Sequence, residues 1–305
     1  IKAIRLNTIY NNMADSRKFQ ELVFAHCKKW LSNIASENIF TKVIDNQSYP
    51  RNWKIPPTLS GNCDLIDKTN HDIIIIQQFY IDKNPQRQNE IRNCLSFNVH
   101  NKSVTKIILL NERIYTNDEL GVSSNKIKQV TISKRLTYKD VFDYVQAYCK
   151  NCTIILANSD IFFDASIENV NRLGLHNNRR ILCQSRIEYQ LEKDLSKCIG
   201  MDRPDSQDVW IWNESGTKIN DDQLKLLDFN LGKPGCDNAI VFLMDIFSIA
   251  PYNLPNTVKC YHYHNVNIRN YTSQDRIDMN YLGLYPSINN TYNHDTNNPT
   301  FIKSI

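Results

Sequence analysis

Apolar residues follow two rhythms along this chain. From about position 72 onward, short continuous runs appear: Asp72–Tyr80 (D-I-I-I-I-Q-Q-F-Y), Thr105–Leu110 (T-K-I-I-L-L) and Thr153–Ala157 (T-I-I-L-A). Such Ile- and Leu-rich runs, without polar alternation, are the pattern of strands buried on both faces. Between them, apolar residues recur at helical spacing. Pro85 opens a helix to about Asn98 with Ile91, Cys94, Leu95 and Asn98 inward. A second helix is read over Thr137–Cys149, with Val141, Phe142, Val145 and Tyr148 inward. Shorter strands are read at Gln129–Ile132, Arg180–Gln184 and Asp208–Trp212, a short helix at Ser166–Leu173, and an apolar helix at Asn238–Phe247. A further apolar and aromatic segment, Val258–Val266, follows. Strands alternating with helices predict an α/β fold, a mostly parallel sheet with helices on both faces. This domain is placed at residues 71–289.

Residues 1–70 read differently. A strand is read at Ile4–Tyr10. Ser16–Ser36 sets Phe19, Leu22, Val23, His26, Trp30 and Ile34 on one helical stripe, and Tyr49–Gly61 is a Pro- and Gly-rich loop. No chemistry is evident there, so the section is an accessory layer or the end of an upstream module. The chain begins at Ile1 and not at Met, which leaves it open as a fragment of something longer. Residues 290–305 are read as a polar tail.

Composition narrows the functional classes. The 305 residues are 41% hydrophobic, as in soluble globular proteins. The net charge is +4, and basic residues occur singly or in pairs, so nucleic-acid binding is not expected. No apolar run approaches the roughly 18 residues needed to span a bilayer. Nine cysteines are scattered, and Cys149-Lys-Asn-Cys152 is a lone C-x-x-C without a second pair, which argues against a zinc module. Free thiols of this kind point to a reducing compartment, hence the cytoplasm, or a host's cytoplasm if the source is viral. The oligomeric state stays open.

Three clusters carry candidate chemistry. Asn158-Ser159-Asp160 follows a buried strand, where ligands of open α/β sheets bind. Asp160 there is a candidate ligand for a divalent cation and, through it, for the diphosphate of a nucleotide-sugar; the alternative is that Asp160 and Asp164 only cap the next helix. His262-Tyr263-His264 puts two imidazoles on one side of a strand, as metal ligands or as structural histidines. A carboxylate with imidazoles suits Mn²⁺; Mg²⁺ prefers more oxygen ligands. Gly232–Asp237 is a tight loop ending in Asp237 at a helix start. Asp237 reads either as a cap or as a general base taking the proton of an acceptor hydroxyl, kept ionised by the helix dipole. Lys134, Arg135, Arg186 and Arg269 follow apolar runs and are candidates to neutralise a diphosphate leaving group, or are solvated surface charges.

The order of the segments R-Q-N-E-I (87–91), L-T-Y-K-D-V-F-D-Y (136–144), A-N-S-D-I-F-F-D (157–164), S-Q-D-V-W-I-W (206–212), L-G-K-P-G-C-D-N (231–238) and Y-H-Y-H-N-V-N-I-R-N-Y (261–271) resembles the GT-A superfamily of nucleotide-sugar glycosyltransferases. It looks closest to bacterial and viral glycosyltransferase-like proteins. The resemblance covers about residues 72–271. It implies a GT-A-like, Rossmann-like sheet and a metal-dependent, inverting transfer of sugar to a glycan or polysaccharide hydroxyl. Asn158 stands where the family's D-x-D motif has its first Asp, so Asp160 is the metal residue carried over, with His262 or His264 as a further ligand and Asp237 as the base. The resemblance further implies nucleotide-sugar contacts from Gln77, Phe79, Tyr80, Arg87, Asn158 and Ser159, and acceptor or sugar contacts from Ser206, Gln207, Asp208, Trp210, Lys233 and Gly235. Two competing readings are a nucleotidyltransferase on a similar sheet and a carbohydrate- or nucleotide-binding protein without activity.

Overall fold

A computed structural model describes residues 70–190, 194–195, 198, 200, 205–266, 271–277, 279, 282–284 and 286. The expectations for residues 1–69, for Arg269 and for the tail at 290–305 lie outside the described residues.

Seven strands form the main sheet: β1 (Asp72–Gln77), β2 (Lys106–Asn111), β3 (Ile127–Thr131), β4 (Cys152–Ala157), β6 (Arg180–Ser185), β8 (Gln207–Asn213) and β9 (Ala250–Tyr252). Their order is β3-β2-β1-β4-β8-β6-β9. The β1–β2, β2–β3, β1–β4 and β6–β9 pairs are parallel, and β8 runs antiparallel to both β4 and β6. The fold is therefore α/β with a mostly parallel, mixed sheet. The apolar runs of β1, β2 and β4 are continuous because these strands are covered on both faces, whereas the edge strand β3 has no buried residue. On one face Ile76, Ile108, Leu110, Ile154, Leu156, Trp210 and Trp212 pack with helices α3 (Tyr138–Tyr148) and α5 (Cys236–Ile246). On the other, Ile73, Ile75, Ile107, Leu109, Ile155, Val209 and Ile211 pack with α1 (Pro85–His100) and a 3₁₀ helix, Ala165–Arg172.

Local signals set the helix ends. Asn84 caps α1 by accepting the Arg87 amide, and Pro stands at the start. Thr137 and Asp140 form a capping box on α3. The inward face of α3 uses Tyr144, which is 8% exposed, where the spacing predicted Tyr148. Tyr148 is 72% exposed, and its ring lies tilted against that of Tyr144 with centroids 5.0 Å apart. Two short helices, α2 (Asn117–Leu120) and α4 (Asp221–Lys225), are each opened by a capping box.

A second sheet positions the site. β10 (Cys260–His262) lies between β5 (Ile161–Phe163), antiparallel, and β7 (Ile187–Glu188), parallel. Its register sets His262 opposite both Ile161 and Glu188, and the Tyr263 amide donates to the Asp160 carbonyl at 2.8 Å. No helix among the described residues is long and apolar enough to cross a membrane.

Candidate active site

The chain steps from β1 outward to β2 and β3, then returns to the other side of β1 with β4. That reversal is a topological switch point, the place where open α/β sheets bind ligands. A cleft of about 640 Å³ opens there. It is lined by residues following β1 (Gln78, Tyr80), β4 (Asn158, Ser159, Asp160) and β6 (Arg186), by the start of β8 (Gln207, Asp208), and by the loop into α5.

On one wall, Asp160 is 8% exposed. Its Oδ2 meets Arg87 Nη2 at 2.5 Å, His262 Nε2 at 3.2 Å and His264 Nδ1 at 3.7 Å. Burial alone would raise the Asp160 carboxyl, but the charges of His262 and Arg87 hold it well below the usual carboxylate range. His262 offers its other nitrogen, Nδ1, to Glu188 Oε2 at 2.8 Å. Burial pulls His262 down, and the Asp160 and Glu188 carboxylates outweigh that and raise it. From Glu188 the network continues through Arg186 Nε (2.7 Å), from Arg186 Nη1 to Asp208 Oδ2 (2.7 Å), and from Asn158 Nδ2 to Asp208 Oδ1 (2.7 Å). Asn158 thus serves as the donor that holds Asp208. A carboxylate at 158 would face that of Asp208 across the same short contact.

Ligand atoms of Asp160, His262 and His264 all lie within 4.8 Å of one another. Asp160 Oδ1 is buried and has no hydrogen-bond partner among the described residues. A buried carboxylate oxygen without a donor is costly, and a cation would satisfy it. The three residues therefore fit a divalent cation, and one oxygen with two nitrogens suits Mn²⁺ better than Mg²⁺.

Across the cleft, Gly232 (φ 70°) and Gly235 (φ 81°) are left-handed, which a side chain would strain. Arg135 clamps this loop, donating to the carbonyls of Leu231 and Gly232, both at 3.1 Å. Gly235 is the N-cap of α5, and Asp237 sits in its first turn, half-buried in the cleft wall. The cap position is thus Gly235, and Asp237 is two residues inside, the second residue of α5. The helix start was expected to keep Asp237 ionised. Instead burial, and second the charge of Asp208, push it up to about 7; the nearby amides of α5 lower it by less. Lys233 pairs with Asp275 at 2.6 Å, and the amides of Ile277 and Leu282 donate to the Pro234 and Asn238 carbonyls. The segment from Tyr271 thereby straps the loop, adding Tyr271 and Arg276 to the cleft.

Of the residues singled out from sequence, the cleft gathers Tyr80, Arg87, Arg135, Asn158, Ser159, Asp160, Arg186, Ser206, Gln207, Asp208, Lys233, Gly235, Asp237, His262 and His264. Four others lie off it. Gln77 is buried and donates to the Asn158 carbonyl at 2.8 Å, so it supports the turn from behind. Phe79 packs edge-on against Tyr115 in the core, and Trp210 against Tyr138. Phe79 lies just past the end of β1 and Trp210 in the middle of β8, and both side chains are buried in the core. Lys134 faces solvent and pairs with Asp140 at 2.9 Å. Residues that the sequence reading missed are Glu188, Glu90, Tyr271 and Arg276. Glu188 had a faint signal, two positions after Arg186 and so on the same side of an extended segment.

No family model and no curated protein matches this sequence. Solved structures with distant likeness include a mannosyltransferase from Pyrobaculum calidifontis in complex with GDP-Man and Mn²⁺ (TM-score 0.42, 9% identity, 72% of this chain and 64% of that one). Others are 4-diphosphocytidyl-2C-methyl-D-erythritol synthase from Anaerococcus prevotii (0.38, 13%, 67% and 92%) and a putative glucose-1-phosphate thymidylyltransferase from Bacillus anthracis (0.36, 10%, 62% and 88%). These likenesses are too distant to bear on activity.

Proposed function

We propose that this protein is a glycosyltransferase that moves a sugar from a nucleoside-diphosphate sugar to a hydroxyl of a glycan or polysaccharide, inverting the anomeric carbon. The observation that carries the reading is the pairing, in one cleft, of an Asp160–His262–His264 donor cluster with a half-buried Asp237 whose carboxyl is raised to about 7. A carboxylate tuned near the operating pH is suited to general-base work. Asp237 would take the proton of the acceptor hydroxyl as its oxygen bonds to the anomeric carbon. The bond from that carbon to the phosphate oxygen breaks, and the electron pair leaves with the diphosphate. Asp160, His262 and His264 would hold Mn²⁺, which neutralises charge on the leaving diphosphate. The cleft's own cations Arg87, Arg186 and Lys233 are already paired with carboxylates, which leaves the charge of an incoming diphosphate to a further cation. Tyr80 and Ser159 would bind donor beside them. Ser206, Gln207, Lys233 and Gly235 line the side nearer Asp237 and would meet the sugar or acceptor.

Product analysis tests this. Incubation with Mn²⁺ and a panel of nucleotide-sugars and acceptors is followed by ³¹P and ¹H NMR. Release of a nucleoside diphosphate with an inverted anomeric signal is expected. Pyrophosphate release would instead mean attack at the α-phosphate, a nucleotidyl transfer. Retained configuration would remove the base role of Asp237.

A further inference from the structure

Arg87 is held too firmly to be a simple donor-binding cation. Its backbone amide is tied to the Asn84 cap, and its guanidinium donates to Glu90 Oε2 at 3.0 Å, the Tyr263 carbonyl at 3.2 Å and Asp160 Oδ2 at 2.5 Å. Glu90 in turn accepts the Asn265 and Val266 amides through Oε1, at 2.8 and 3.2 Å. The guanidinium is thus wedged between α1 and the segment leaving β10, beside both histidines, and it occupies one of the two oxygens of Asp160. The other oxygen is the buried one without a partner.

Resting on the metal-site reading above, we propose that Arg87 is a resident counter-cation of Asp160 and competes with a divalent cation for that carboxylate, holding the cleft's intrinsic cation affinity low. Two positive groups within a few ångströms of one buried carboxylate repel each other, and poor solvent access leaves that repulsion weakly screened. With Oδ2 hydrogen-bonded to Arg87, only Oδ1 is open to a cation, so Asp160 cannot grip an ion through both oxygens. Arg87 also lines the cleft. A diphosphate seated there meets the same guanidinium, and planar guanidinium pairs well with phosphate oxygens.

The test is Mn²⁺ binding to the full chain without nucleotide, read from the electron paramagnetic resonance signal of free Mn²⁺. Arg87→Gln is expected to bind Mn²⁺ roughly tenfold more tightly or better. Arg87→Lys, which keeps the charge, is expected to stay within about threefold of the unmodified protein. Removing one partner of a buried ion pair is strongly destabilising. If Arg87→Gln does not fold, the charge-balanced Arg87→Gln/Glu90→Gln protein takes its place, with the same direction expected. Unchanged or weaker binding by the folded variant, with the unmodified protein binding Mn²⁺, overturns the competition alone. Tightening by Arg87→Lys as large as by Arg87→Gln overturns it too. Failure of both the unmodified and the variant protein to bind millimolar Mn²⁺ overturns the metal reading beneath it and the competition with it.

Discussion

Replacing Asp237 with Asn should stabilise this protein at alkaline pH while ending its proposed chemistry. In the folded chain the Asp237 carboxyl is raised from 3.8 to about 7, first by burial and then by the charge of Asp208. In the unfolded chain it titrates at about 3.9. Between those values the folded state keeps a proton that the unfolded state has lost, so stability falls as pH rises through this window. The full penalty, reached above pH 7, is about 4 kcal/mol as an upper bound. Asn carries no charge at any pH and escapes it. Urea unfolding of both proteins should therefore give nearly equal stabilities at pH 4 and a growing advantage for Asp237→Asn toward pH 8. The same variant should lose sugar transfer. A stability difference that does not change with pH would refute the reasoning, because Asp237 would then titrate alike in both states.

Other outcomes follow from the geometry. Trp210→Ala should cost about 3–5 kcal/mol in urea unfolding, because Trp210 is 1% exposed and packs against Tyr138. Gly235→Ala should cost about 1–2 kcal/mol of thermal stability, since φ is 81° there. Because that residue aims the first turn of α5, turnover should fall further than donor affinity. Arg186→Gln strips Asp208 of its cation, leaving a bare negative charge near Asp237. The acidic limb of the pH–rate profile should then move upward.

Much of this architecture is legible in the residues. The Ile-rich run of β1 and the Pro85 start of α1 lie at or within two or three residues of their observed bounds, because burial on both faces and cap chemistry are local signals. The direction of β8 is not local. Val209–Trp212 is apolar on both faces whichever way it runs, and only pairing with β4 and β6 makes it antiparallel. The sequence places a strand at the two histidines, and β10 is that strand, ending at His262; its partners β5 and β7 escaped notice because they span three residues or fewer, too short to show a period. Yet it is β10 that brings His262 to Asp160 across a separation of 102 residues. Motif chemistry pointed to Asp160, the two histidines and Asp237. It did not reveal that Asn158 holds Asp208, that Glu188 holds His262, or that Arg87 holds Asp160. Those partners come from distant elements, and apart from the faint spacing of Glu188 with Arg186 nothing in the sequence marks them. Trp210 and Phe79 went the other way, since proximity to a motif in sequence does not say whether a side chain meets the cleft or the core.

The cation-linked donor site is the core of the account, and a ligand that binds only the folded state must raise its melting temperature. Melting curves with a panel of nucleoside-diphosphate sugars, with and without Mn²⁺, on the unmodified protein and on Asp160→Ala, test it most directly. The account predicts that at least one nucleotide-sugar raises the melting temperature only when Mn²⁺ is present, and that Asp160→Ala abolishes the rise. An undiminished Mn²⁺-dependent rise in Asp160→Ala would contradict it.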